Sequence, residues 1–146
     1  MIALIQRVSR AAVTIEDREV ASIGRGILAL IAFQRSDADP QINRMIERLL
    51  GYRIFADQSG RMNRSLTDID GALLVVPQFT LAADTRKGTR PGFSSAMPPD
   101  DGRRLFERLR NELIRRWPRS GFGEFGAHMQ VALVNDGPVT FWLEAH

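Results

Sequence analysis

Cysteine is absent from the 146 residues, which removes disulfides, thiol nucleophiles, thiolate zinc sites and iron–sulfur clusters together. Histidine is nearly absent. His128 and His146 are too few for a multi-histidine metal site within one subunit, and they leave little material for a nucleophile–base–acid triad. No long apolar run exists. Gly26 to Phe33 is the longest at eight residues, far short of a membrane span. The opening Met1-Ile2-Ala3-Leu4-Ile5-Gln6-Arg7 has no basic lead and reads as a first strand, so a cytoplasmic location is expected. Lysine is also scarce: Lys87 is the single one, and every other cation is arginine.

What remains is an ordinary globular composition, 44% apolar and 25% charged, of a size for one domain over residues 1–146. The net charge of +3 points weakly to a polyanionic partner. Ile2 to Val8, Val13 to Glu16 and Val20 to Ile23 read as strands, and Gly26 to Phe33 and Ala72 to Val76 as strands buried on both faces. Asp39 followed by Pro40 predicts a helix start. Ile42, Met45, Ile46, Leu49 and Leu50 then follow at helical spacing, with Gly51 as the stop. A short strand is expected at Ile54-Phe55, before a polar loop from Asp57 to Asp70. A second helix is expected from Pro99, with Leu105, Phe106, Leu109, Leu113 and Trp117 on one face and Pro118 ending it. Met129 to Val134 and Val139 to Leu143 read as two strands. Two helices against six or so strands predict a mixed fold with the helices on one side of the sheets.

No paired-carboxylate site and no phosphate-cradling glycine loop is recognisable, and Asp100-Asp101 read as helix N-terminal charges. Three polar segments are the candidates. Gln78-Phe79-Thr80 leaves a buried strand behind Pro77, where pairing is expected to break and free backbone N–H groups; a plain strand end is the alternative. Asn135-Asp136-Gly137-Pro138 has the composition of a hairpin turn. The stretch from Arg86 and Lys87 to Arg90 is a basic loop, suited to gripping phosphates or simply solvated.

Longer strings around these segments resemble one family. Val75-Val76-Pro77-Gln78-Phe79-Thr80-Leu81-Ala82-Ala83-Asp84 and Val134-Asn135-Asp136-Gly137-Pro138-Val139-Thr140-Phe141 are similar to the two signatures of the D-aminoacyl-tRNA deacylases. The start of the chain, Leu50 to Phe55, and Arg90-Pro91 with Phe93-Ser94 resemble the family as well. The resemblance implies an α+β fold, a layered β/β/α sandwich of two sheets with two helices on one side, assembled as a homodimer. It implies hydrolysis of the ester between a D-amino acid and tRNA, and of glycine wrongly carried by alanine tRNA, with no metal or organic cofactor. It assigns catalysis to Gln78, Phe79 and Thr80, with backbone N–H groups as oxyanion donors. It assigns rejection of L-amino acids to a cis Gly137–Pro138 pair entering the partner's pocket, held by Arg7, and tRNA contact to Arg86, Lys87 and Arg90. The family pattern usually carries serine where this chain has Pro77, so a hydroxyl and an N–H are missing. The alternatives are a non-catalytic tRNA-binding protein and a threonine-dependent hydrolase of small esters.

Overall fold

The computed structural model describes residues 1–146. Eight strands and two helices follow in the order β1 (Ile2–Ile15), β2 (Arg18–Ile23), β3 (Gly26–Ala32), α1 (Asp39–Gly51), β4 (Phe55–Ala56), β5 (Met62–Arg64), β6 (Ala72–Pro77), α2 (Pro99–Arg116), β7 (Ser120–Phe122) and β8 (Gln130–Glu144). A single 3-10 turn, Phe79–Ala82, follows β6. The fold is α+β with two sheets and two helices. Six strands form the large sheet and β4–β5 form a small ribbon.

The layering follows from which face each apolar side chain takes. Along β3 and β6, Ile27, Ala29, Ile31, Leu73 and Val75 face a core shared with Ile42, Met45, Ile46 and Leu49 of α1 and Phe106, Leu109 and Leu113 of α2. The alternate residues Leu28, Leu74 and Val76 face a second core with Val8, Ala11 and Val13 of β1. Both faces of these strands are therefore buried, which accounts for their unbroken apolar sequences. The second core exists because β1 is long enough to serve both layers. Ala3 and Ile5 face the helices, whereas Ala11 and Val13, also odd-numbered, lie in the other core. Register shifts in the β1–β8 pairing on either side of Val8 allow that reversal. The large sheet thus folds back over itself, giving helices, sheet and returning sheet as three layers.

Parallel pairing of β3 with β6 requires a crossover, which α1 and the ribbon supply. Gly26 begins this pairing, and any Cβ there would lie 1.8 Å from the Ala72 carbonyl oxygen. Under the sheet, the Met1 ammonium is buried, donating to Asp37 Oδ1 at 2.7 Å, Ala145 O at 3.0 Å and Gln34 Oε1 at 3.3 Å.

Several boundaries differ from the sequence reading. The two opening strand segments are one 14-residue strand. Ala38, not Asp39, is the N-cap of α1; its N–H donates to Gln41 Oε1 at 2.9 Å, and Asp39 is the first helical residue. The helix also runs through Gly51, with the Tyr52 N–H closing it on Arg48 O at 2.9 Å. The polar loop after β4 contains β5, and Ser120–Phe122 adds a strand too short to show a period. Most consequentially, the two tail strands are one strand. Both halves of β8 run antiparallel to β1 in the same direction, so the chain between them makes no hairpin.

Candidate active site

On the β3 side the parallel ladder does not break at Pro77, whereas pairing with β7 stops at Val75. Pro77 stays in register with Ile31, and the Gln78 N–H donates to Ile31 O at 2.7 Å. Even-numbered residues of β6 face β3. Odd-numbered ones face β7, as Leu73 N to Arg119 O and Gly123 N to Val75 O show. On the β7 side the N–H that proline lacks would face Gly123, the residue after β7, and the pairing there ends with Gly123 N to Val75 O.

Beyond Gln78 the chain winds into the Phe79–Ala82 turn, closed by Leu81 N to Gln78 O at 3.2 Å and Ala83 N to Thr80 O at 3.1 Å. The first donors of such a turn have no partner inside it. None of the loop and cap hydrogen bonds engages the N–H of Phe79 or Thr80. Gln78 Nε2 donates to Thr80 Oγ1 at 2.5 Å, which fills a lone pair of the hydroxyl and leaves its proton free to donate. A donating amide cannot act as a base. His128 and His146 are both exposed, and His146 faces Glu144. Thr80 lines an open cavity of about 440 Å³ with Ile2, Gln34, Thr85, Ser95 and Trp142. Phe79 is 56% exposed and its ring lies 5.2 Å from that of Phe93.

The basic loop follows this site directly, pinned by pairing of Asp84 with Gly92. Arg86 is not free in it. Its Nε and Nη2 donate to both oxygens of Asp84, at 2.9 and 2.7 Å. That contact holds the Asp84 carboxyl well below the usual carboxylate range and raises Arg86. Lys87 and Arg90 are exposed and take no carboxylate partner.

The second motif is a main-chain excursion from β8. Thr140 lies opposite Gln6 and Asn135 opposite Val8, so Asp136 to Val139 occupy the place of one residue, opposite Arg7. Three contacts fix it. Arg7 Nε donates to Asp136 O at 2.8 Å, Asn135 Oδ1 accepts from Val139 N at 2.9 Å, and Asn135 Nδ2 donates to Thr140 Oγ1 at 2.9 Å. The Gly137–Pro138 bond is cis and both residues are exposed. Gly137 has φ of +144°, and a Cβ there would stand 2.7 Å from Val139 Cγ2 and 3.0 Å from Arg7 Nη2.

Within the chain the two motifs do not meet. Pro77 is level with Ile31, Ile31 with Ala3, and the excursion with Arg7. Four residues and three strand spacings separate them by about 13 Å along the strands and about 14 Å across. Asn135, part of a candidate segment, takes its role as a clamp only here, and Arg10, which the sequence reading does not single out, appears as a neighbour in register with Val134.

This folded-over sheet backed by two helices is shared with solved structures. A solved structure titled "Structural Analysis of a probable eukaryotic D-amino acid tRNA deacylase" matches with a TM-score of 0.82 over 98% of each chain, at 20% identity. The chain belongs to the D-Tyr-tRNA(Tyr) deacylase family, whose pattern matches residues 4–144. It is 59% identical over 145 residues to a D-aminoacyl-tRNA deacylase of Xanthomonas oryzae pv. oryzae (strain MAFF 311018), covering 98% of this chain and 99% of that one. It is 56% identical over 144 residues to one of Nitrosococcus oceani, covering 99% and 93%. A solved structure named c-Myc DNA Unwinding Element Binding Protein is 36% identical, with a TM-score of 0.95 over 100% of this chain and 99% of the other.

Proposed function

We propose that this protein hydrolyses the ester joining a D-amino acid to the terminal adenosine of tRNA, and the same ester of glycine on alanine tRNA, in the cytoplasm. The observation that carries the reading is the Phe79–Ala82 turn: two unengaged N–H groups beside a hydroxyl whose neighbour is a donor. Such a turn binds an oxyanion and does not activate a nucleophile. Water adds to the ester carbonyl carbon, the developing oxyanion accepts from the Phe79 and Thr80 N–H groups, and the Thr80 hydroxyl orients the substrate. Collapse breaks the carbon–oxygen bond to ribose, whose oxygen leaves with a proton. An aminoacyl ester is already activated, so positioning and charge stabilisation suffice.

The working unit is a homodimer. The outer edge of β8, 15 residues long, is unpaired, with Val134 and Trp142 exposed beside it. Such an edge invites a partner. Pairing across it carries the rigid Gly137–Pro138 main chain toward the other protomer's Gln78–Thr80 site, the neighbour missing within one chain. A fixed main chain opposite the α-carbon leaves room for hydrogen on one side only, so L-amino acids are rejected and every D side chain points outward. Lys87 and Arg90 then contact tRNA phosphates.

Ester loss from D-tyrosyl-tRNA and L-tyrosyl-tRNA, followed with the pure protein, tests the reading. Selective loss of the D ester is expected. Binding of tRNA without ester loss would make it a non-catalytic tRNA-binding protein. Sedimentation is expected to give about 33 kDa, twice the 16.4 kDa chain.

A further inference from the structure

The arginines of this protein divide into two populations. Those of α2 are mostly matched: Arg104, Arg108, Arg110 and Arg115 each lie against a carboxylate. Around the β4–β5 ribbon they are not. Arg25, Arg53, Arg61 and Arg64 are exposed and form no ion pair; Arg25 instead lies 5.6 Å over the Phe55 ring. Carboxylates are close by, and each has another partner. Asp57 accepts from Ser59, the Arg61 N–H and Asn63. Asp68 accepts from Ser65 N and Ser65 Oγ, both at 2.8 Å, while Arg64 donates to the Asp68 main-chain oxygen. Asp70 is taken by Arg119 at 2.6 Å, and Asp136 by Arg7 at 3.7 Å.

The ribbon is tied to the Gly137–Pro138 excursion. Arg7 donates Nε to Asp136 O and Nη1 to Ile54 O, at 2.8 and 2.7 Å, so one guanidinium holds the excursion and the residue between Arg53 and Phe55. Whatever site the excursion enters, the unmatched arginines accompany it.

Resting on the functional reading above, we infer that Arg53, Arg61 and Arg64 grip backbone phosphates of the tRNA whose ester lies in the partner subunit's site, so that each tRNA is held by both protomers. Exposed guanidinium groups in no close ion pair are suited to phosphate; Asp68, held by Ser65, acts on Arg53 and Arg64 only through space, and phosphate contacts of this kind position an RNA without reading its sequence. The division of labour is physical. One protomer supplies the oxyanion donors, and the other supplies the chiral barrier together with the cations that hold the RNA against it.

The test replaces Arg53→Gln, Arg61→Gln and Arg64→Gln together and compares D-tyrosyl-tRNA with D-tyrosyl-adenosine, the same ester without the RNA body. The expected result is a rise in KM for the tRNA on the order of tenfold or more, unchanged kcat, and a salt dependence of uncharged-tRNA binding shallower by about two to three. Hydrolysis of D-tyrosyl-adenosine and the sedimentation of the dimer should not change. Equal loss on both esters, or dissociation of the dimer, would show that the arginines serve folding or hold the partner, and would overturn the inference. A mixed dimer separates the two subunits' roles. One protomer carries Gly137→Ala and the other the three glutamines, leaving a single complete chiral barrier, on the subunit without the arginines. Weak tRNA turnover is expected, like that of the triple-variant homodimer; full turnover at half the sites would show that each protomer's arginines serve its own site. Should the wild-type protein hydrolyse neither ester, the functional reading fails, and the binding and salt measurements still decide whether these arginines hold tRNA.

Discussion

Arg7 donates from one guanidinium to Asp136 O and to Ile54 O, binding the β8 excursion to the ribbon entrance. It is half-buried, and its two bonds diverge from a planar fork. Lysine offers a single nitrogen on a flexible stem, so both carbonyls would have to converge on one point instead of on two nitrogens of a rigid fork. Arg7→Lys is therefore expected to keep the fold while lowering D-tyrosyl-tRNA hydrolysis on the order of tenfold, at about 1–2 kcal/mol for a lost charged hydrogen bond. The measurement is the ratio of kcat/KM for D and L esters, which should fall along with the rate. A ratio equal to wild type would mean that Arg7 contributes nothing to chiral selection.

Gly137 is required by its backbone. At φ of +144° a side chain is strained, and the space is closed by Val139 Cγ2 at 2.7 Å. Gly137→Ala must move the excursion or the Arg7 side chain. Loss of about 1–3 kcal/mol of stability is expected, with D-ester hydrolysis falling further than melting temperature explains. Thermal melting and kinetics on the same preparation check this, and wild-type kinetics in the variant would refute it.

Thr80→Val keeps the shape of the residue and removes the hydroxyl. A positioning role predicts a loss of about tenfold to a hundredfold, because the Phe79 and Thr80 N–H groups remain. A nucleophilic role predicts complete loss, together with a covalent aminoacyl-Thr80 species in the wild type. Mass spectrometry of the acid-quenched enzyme distinguishes the two.

In the basic loop the three cations are not equivalent. Arg86 is engaged by Asp84, so Lys87→Gln and Arg90→Gln should each flatten the salt slope of tRNA binding by about one unit, and Arg86→Gln by less. All D-aminoacyl-tRNAs should weaken alike. An Arg86 effect as large as the others would show that the ion pair opens when RNA binds.

Asp57 gives a pH prediction at the ribbon turn. Hydrogen bonds from Asn63, Ser59 and the Arg61 N–H lower its pKa from 3.8 to about 2. A depressed carboxyl contributes stability that is present in full above the unfolded value and is lost as pH falls through the folded one. The melting difference between wild type and Asp57→Asn should therefore be constant from neutral pH down to about 5 and shrink between about 4 and 2. A difference that widens in acid would contradict the hydrogen-bonded turn.

Much of the fold was legible in local pattern. The apolar runs of β3 and β6, the helical spacing of Ile42 to Leu49 and of Leu105 to Leu113, and the proline at each helix start are nearest-neighbour signals, and the elements lie where they indicate. Asn135-Asp136-Gly137-Pro138 shows how that reasoning fails. Its composition is that of a turn and the chain does turn there, but β1 offers a partner on both sides of it, so the strand resumes instead of reversing. Pro77 shows the opposite limit: the pairing it interrupts is the one with β7, while the β3 ladder continues through Gln78 N to Ile31 O, and which neighbour each N–H faces is set by the sheet order.

By itself the sequence determined the chemistry available: no thiol, two histidines, an arginine-dominated cation set and two long motifs that identify the family. Tertiary structure alone decided how those parts are distributed. The long β1 and β8 strands place the Gln78–Thr80 turn and the Gly137–Pro138 excursion about 13 Å apart along the sheet, and they leave the β8 edge open beside the second. The same packing sets most arginines of α2 in ion pairs with carboxylates and leaves those of the ribbon in none. Register and pairing depend on residues more than a hundred positions apart, and no local pattern encodes them.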